Sequence, residues 1–401
     1  MSMANIRDRQ LDGLRTVAVS MVLYAHFFAA DRSIWGHLGV RLFFVLSGFL
    51  ITRLLLQARA DARYQPVTAF KAFYIRRVLR IFPPYFAMLA FVYFLDLEGA
   101  RGNVKWHALY LSNYWYALRG EWTPWVLCHT WSLSIEEQFY IAWPLVILLA
   151  PRRLTERICI AVIACSLAYR LCWPLTWTPS LMRDLLPSAS MDALAGGALL
   201  AAYRERTQGW PQWMRQSWMP LAAAAAVALW LRPDPITPTL DWVIWIGSEV
   251  FPLVPLVMLV GCGASGFRSL FGRLLESPPI AATGRISYGI YLFHPIVLSL
   301  IVKAQTWIPV NVSEQGLGRL IVGSVATLML ASISWLVFEK PLNNLKRYFP
   351  YAARGHQPAV PSIAIASEPG EHGHGSKAYN TALSHRNEGI RGGAVQTSDL
   401  Q

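Results

Sequence analysis

The segment Gln10–Phe28, QLDGLRTVAVSMVLYAHFF, carries an arginine near one end of an apolar run and a histidine well inside it. Arg15 and His26 are eleven residues apart. On an α-helix that is about 16 Å of rise with an offset of about 20° around the axis, so both side chains leave the same face. An ionisable group deep in a membrane helix is costly and faces a protein interior or a watery cavity. The segment therefore reads as a first membrane span, with the Arg15–His26 face as the wall of a site.

The rest of the composition agrees. Of 401 residues, 54% are hydrophobic and 15% charged, with 17 Trp. Soluble domains carry about a quarter charged residues. A net charge of +13 could suit nucleic acid, but the basic residues sit in short clusters between apolar runs. That is the pattern of cytoplasmic loops on a membrane protein, so the expected partner is the lipid bilayer and not nucleic acid. Cys128, Cys159, Cys165, Cys172 and Cys262 form no CxxC pair and lie mostly in apolar runs. They read as buried free thiols, which argues against a disulfide framework or a zinc site, and no metal is expected. The N-terminus resembles a signal peptide but lacks a small-x-small cleavage site, and it reads as a retained span.

Apolar runs of about 20 residues recur at roughly 13–31, 37–57, 78–96, 131–150, 157–176, 184–203, 217–232, 242–262, 284–303 and 319–338. The fold class is thus all-α, a polytopic membrane protein of about ten helices. Lys and Arg concentrate before the first run and after every second one, including Arg59 to Arg80, Arg152 to Arg157 and Lys346–Arg347. The alternate loops are poorer, and the bias puts both termini in the cytoplasm. The long loop from Asp96 to Cys128 is rich in Trp and Tyr. Such residues favour the membrane interface, and their rings also pack on sugar faces. The stretch Asn103–Tyr116 is expected to dip into the membrane. Asn311–Ser313 matches a glycosylation sequon and carries no weight. Residues 351–401, rich in Gly, Ser, His and Ala, are expected to be a disordered cytoplasmic tail behind a membrane domain at 1–350.

Four stretches could carry chemistry. Neutral His26 is a suitable general base near neutral pH, and Arg15 is either its companion or a topology anchor. In FYIRRVLRIFPPY, residues 73–85, Arg76, Arg77 and Arg80 lie three and four apart and converge on one helix face. Pro83 and Pro84 are expected to interrupt that helix. Three arginines there make a phosphate clamp, or else ordinary positive-inside charge. In TWSLSIEEQFY, residues 130–140, Ser134 and Glu137 fit a capping box, whereas Glu136 shares a face with Ser132 and Tyr140. Glu136 is expected to orient a histidine on a neighbouring helix or to bind an acceptor hydroxyl. The fourth group comprises Ser47, Asp192, Tyr288 and His294, polar residues in apolar runs and candidates for substrate binding together with Glu137.

The stretches LDGLR, His26, FFVLSGFLIT, FYIRRVLRIFPPYF, HTWSLSIEEQFYIAWP, MDALAGGALLA and ISYGIYLFHP follow one another in the order of the membrane-bound acyltransferase 3 family, which the chain resembles over about residues 10–340. That family includes O-antigen and exopolysaccharide O-acetylases and Nod-factor acyltransferases. The resemblance implies transfer of an acyl group, often acetyl, from cytoplasmic acyl-CoA to a hydroxyl of an extracytoplasmic glycan such as a polysaccharide or lipopolysaccharide, at a bacterial inner membrane. It makes His26 the essential histidine and Arg15 its partner. It places Arg76, Arg77 and Arg80 near the donor and Glu136 and Glu137 on the family's WSLSxE segment. Where the family often carries an arginine before the MDA segment, this chain has Ser190.

The combined expectation is that CoA phosphates dock on Arg76, Arg77 and Arg80 together with Arg15, that no cofactor is bound permanently, and that the pantetheine arm runs along the first span. His26 then acts as base or forms a transient acyl-histidine, with Glu136 holding its tautomer. The rival is a transporter or flippase whose buried Arg, His and Asp line a substrate path.

Overall fold

In a computed structural model the described residues are 3–29, 33–172, 180–211, 250–305 and 316–351, with isolated positions between 214 and 247. Every regular element among them is helical. The helices are α1 (Met3–Phe27), α2 (Ile34–Ala60), α3 (Pro66–Leu95), α4 (Val104–Ala108), α5 (Ser112–Arg119), α6 (Thr130–Leu149), α7 (Thr155–Cys172), α8 (Ser180–Leu185), α9 (Met191–Thr207), α10 (Leu253–Ser265), α11 (Leu270–Glu276), α12 (Pro278–Arg285), α13 (Ser287–Ala304) and α14 (Leu317–Ser334). The run expected at 217–232 lies largely outside the described residues, as do the first part of 242–262, Asn311 and residues 352–401.

Five segments among the described residues are long and apolar enough to cross a bilayer, and α10 with α11, bent by 74°, makes a sixth. Ten were expected. The difference comes from charge as well as from the undescribed stretch. α1 begins at Met3 and so includes Arg7, Asp8, Arg9, Asp12 and Arg15. α9, at 17 residues, is also short for a span, and it carries Asp192, Arg204, Glu205 and Arg206. Because α1 ends at Phe27, His26 stands in its last turn and not at the middle of a span.

Two local expectations are corrected. α3 runs unbroken through Pro83 and Pro84, as membrane helices do when neighbours support the freed carbonyls. α6 starts at Thr130, so Ser134 sits a turn inside it and bonds Ser112 and the Thr130 carbonyl instead of capping. The loop before α6 is folded onto the bundle. Buried His107 meets Thr130 Oγ1 at 2.7 Å, and Gln138 Nε2 donates to the Tyr110 carbonyl at 2.9 Å. Glu98 accepts from the Val126 amide at 2.9 Å, which pins the turn bearing Trp125. Of the cysteines, Cys128, Cys159 and Cys262 are buried, but Cys165 and Cys172 are exposed along α7.

α2 is the axis of the bundle: its apolar window is 72% buried, against 22% for the segment containing α14. α14 shows an exposed stripe, Ile321, Val325, Met329 and Ile333, at the four-residue spacing of a lipid-facing side. α2 meets α9 backbone to backbone. A Cβ on Gly48 would overlap the Leu194 carbonyl, and one on Gly197 would overlap that of Val45. Gly48→Ala is therefore expected to cost at least the upper end of the about 1–3 kcal/mol typical of overpacking. Thermal melting in detergent, compared with Gly102→Ala, where a Cβ meets nothing within 4 Å, measures it.

Candidate functional site

The single cavity expected along α1 is instead two adjoining pockets. The first, of about 100 Å³, is basic and acidic at once. Arg15 from α1, Arg77 and Arg80 from α3, and Glu136 and Glu137 from α6 line it, with Ser47, Tyr140 and Tyr288. Arg15 is held by Asp12 at 2.7 Å. Glu136 accepts from Ser47 Oγ at 3.0 Å and from the Tyr140 hydroxyl at 3.2 Å. The Arg77 guanidinium lies over the Tyr140 ring at 4.6 Å, a cation–π contact that aims it along α6. Tyr288 donates to the Ile81 carbonyl at 3.1 Å. Arg76 does not line this pocket: it donates to the Phe349 carbonyl at 3.2 Å and lies over Tyr351 at 5.0 Å.

The second pocket, of about 410 Å³, holds His26. His37, Arg41, His129, Asp184 and Ser190 supply its polar wall, and Trp122, Trp125 and Trp131 supply broad aromatic surface. Val40, Phe44 and Tyr291 line both pockets and form the partition between them. The Tyr291 hydroxyl stands 2.7 Å from Ser132 Oγ and 3.3 Å from the His129 carbonyl.

The partner of His26 is His294, not Glu136. Nδ1 of His26 and Nε2 of His294 are 3.0 Å apart, and the two rings stack at 4.9 Å. His294 is fully buried, and its Nδ1 is 2.7 Å from the Tyr291 carbonyl. A carbonyl oxygen only accepts, so Nδ1 of His294 carries the hydrogen. A neutral His294 then accepts at Nε2, and Nδ1 of His26 must donate. The lone pair of His26 is thereby fixed on Nε2.

Asp192, expected as an intramembrane carboxylate near substrate, lines neither pocket. It is fully buried between two guanidiniums, Arg41 Nη2 and Arg170 Nη1, each 2.7 Å from Oδ2. Arg170 adds a second contact to Oδ1 at 3.2 Å. Arg41 in turn lines the histidine pocket, so the carboxylate reaches that pocket only through its arginine.

Sequence reasoning missed Arg41, Arg170, His129 and Tyr291. Arg41 and Arg170 had a usable signal, since each is a lone arginine in an apolar run. His129 directly precedes the Thr130–Tyr140 stretch, and nothing local distinguished it. Among the described residues the histidines are not arranged with a third ligand to hold a metal ion.

A family model described as an acyltransferase domain matches residues 8–339. The peptidoglycan O-acetyltransferase of Listeria monocytogenes is 27% identical over 364 residues, 84% of this chain and 56% of that protein. A Bacillus subtilis protein provisionally named a peptidoglycan O-acetyltransferase is 27% identical over 354 residues, 83% of this chain and 54% of its own. A Staphylococcus aureus protein provisionally named an O-acetyltransferase is 26% identical over 320 residues, 73% of this chain and 50% of its own. The chain thus spans about half the length of the curated relatives it matches. No solved structure matches it.

Proposed function

The chain belongs to the acyltransferase family whose model spans its residues 8–339, and from that premise we propose that it is a multi-pass membrane O-acyltransferase acting on a glycan. The donor is an acyl-CoA, with acetyl the acyl group in keeping with the names of its relatives. The acceptor is a hydroxyl of an extracytoplasmic glycan, either wall peptidoglycan, which the relatives' names suggest, or a surface polysaccharide or lipopolysaccharide. The chain crosses a bacterial cytoplasmic membrane about ten times with both termini inside, a topology supported by its Lys and Arg distribution.

The observation that carries this reading is the His26–His294 pair in a tryptophan-walled pocket that shares a partition with a basic one. Arg15, Arg77 and Arg80 suit the phosphates at the mouth of the donor side. A cavity of about 100 Å³ holds no more than the end of the pantetheine arm, so the nucleotide stays outside it. Trp122, Trp125 and Trp131 offer flat surface to sugar rings. His26 Nε2 takes the proton of the sugar hydroxyl, and that oxygen bonds to the acyl carbon. The carbon–sulfur bond then breaks, and the thiolate leaves with the same proton as CoA thiol. Transfer requires the thioester to pass the partition of Val40, Phe44 and Tyr291.

The test is CoA thiol release by membranes containing the chain, given acetyl-CoA, with mass spectrometry of cell-wall and surface glycans from the same cells. Thiol release together with an added acyl mass on a glycan is expected. Movement of a glycan across the membrane without thiol release would instead identify a transporter.

His294 acts here as a positioning residue. His294→Leu removes the acceptor of the His26 Nδ1 hydrogen and is expected to lower kcat by about 10–100-fold, as loss of a histidine's outer partner does elsewhere. His294→Gln, whose amide oxygen still accepts, should recover part of the rate. Equal rates in the two variants would argue that His294 only fills space.

A further inference from the structure

His129 stands just before α6, and only 3% of it is exposed. It lines the histidine pocket. Its ring centre is 5.5 Å from that of His294, which holds His26 from another side. Neither ring nitrogen of His129 has a hydrogen-bond partner. The backbone of Leu292 lies beside the ring, outside hydrogen-bond geometry. A buried ring N–H with nothing to donate to is uncommon and calls for a reason.

Two neighbouring donors are committed elsewhere. The Tyr291 hydroxyl is engaged with Ser132 and the His129 carbonyl. Arg41 is tied to Asp192. The reaction proposed above puts negative charge on one atom of this pocket, the oxygen of the acyl carbonyl, as the sugar hydroxyl adds to the acyl carbon. A preorganised donor in a dry pocket is most effective at such an oxygen.

We propose that His129 is a catalytic residue whose ring N–H donates to the acyl oxygen of the tetrahedral intermediate. The assignment rests on the acyl-transfer reading. In the step, His26 takes the hydroxyl proton, the new carbon–oxygen bond forms, and the carbonyl electron pair moves onto the oxygen that His129 holds. The pair returns as the carbon–sulfur bond breaks, and the thiolate takes the proton from His26. His129 exchanges no proton. Its ring nitrogens have no hydrogen-bond partner in the resting protein because the oxygen they serve is formed only during the reaction.

The experiment measures CoA thiol release from acetyl-CoA by membranes of a bacterial host carrying its own wall and surface glycans, normalised to the amount of folded full-length protein. His129→Phe keeps the ring volume and removes the donor. It is expected to lower kcat by about 10²–10³-fold, the effect of deleting one oxyanion donor, with KM for acetyl-CoA little changed. His129→Gln retains an N–H donor and should recover at least about tenfold of that loss. Should His129→Phe fail to accumulate, His129→Met against His129→Gln makes the same comparison at matched length. A phenylalanine or methionine variant as active as the glutamine variant overturns the assignment, as does a raised KM with kcat unchanged. A wild type that releases no thiol overturns the acyl-transfer reading and this assignment with it. An active wild type with a fully active His129→Phe overturns this assignment alone.

Discussion

Membranes carrying His26→Ala are expected to lose acyl transfer while holding as much folded protein as the wild type. The ring sits in the last turn of α1 and is only partly buried, and alanine is the best helix former, so the helix should persist. What disappears is the nitrogen proposed as the base, whose lone pair the His294 contact fixes. His294 cannot replace it, because its Nδ1 hydrogen is directed at the Tyr291 carbonyl and its Nε2 is turned towards His26. Loss of a positioned general base lowers rates by about 10²–10⁴-fold. If His26 also carries the acyl group, the loss is greater still. The check is thiol release per unit of protein, together with the acyl mass on the glycan. A His26→Ala protein with wild-type turnover would move the chemistry out of the histidine pocket, and Glu136 in the basic pocket would become the leading base.

Asp192→Ala should act on stability. The carboxylate lies between the guanidiniums of Arg41 and Arg170, and all three side chains are nearly or fully buried. Removing one partner from a buried ion pair costs about 3–5 kcal/mol, because charge is left in a medium that solvates it poorly. The expected result is a large drop in folded protein and in melting temperature in detergent. Arg170→Leu in the same chain should restore part of the loss by removing one of the two guanidinium charges that lose the carboxylate. If Asp192→Ala melts like the wild type, the triad contributes little and water must reach it. This test separates a support role from a substrate role, since a substrate contact would alter KM without altering melting.

What could be read in the sequence was the set of charged residues in apolar surroundings. Arg15, Arg77, Arg80, Glu136 and Glu137 come from three helices and line one pocket. Each was conspicuous because an ionisable side chain in an apolar run needs an explanation. The pairing of His26 with His294 was not legible, because the two are 268 residues apart and neither has a local pattern pointing to the other. Helical periodicity placed Arg15 and His26 on one face and suggested one cavity. It could not show that Val40 and Phe44 from α2 and Tyr291 from α13 close the space between them. Arg76 looked equivalent to Arg77 and Arg80, but packing against Phe349 and Tyr351 turns it away. The bounds of α1 were misread because its charged first turns look unlike a membrane helix, and contacts that hold that end of the helix come from elsewhere in the chain. Gln10, for instance, accepts from the Phe267 amide, 257 residues away.

The partition also bears on the membrane as a barrier. On the proposed reading, an enzyme that takes a charged donor from one side and a sugar from the other would, with a single open shaft, short-circuit the ion gradient across its membrane. Val40, Phe44 and Tyr291 stand between the two pockets, where a bulkhead would be needed. Two of the three are wholly apolar, and the hydroxyl of the third is held against Ser132. Such a layer of side chains is a poor path for protons and ions. On the same reading only the slim acyl-bearing arm need breach that layer, and while it does so the arm itself plugs the opening.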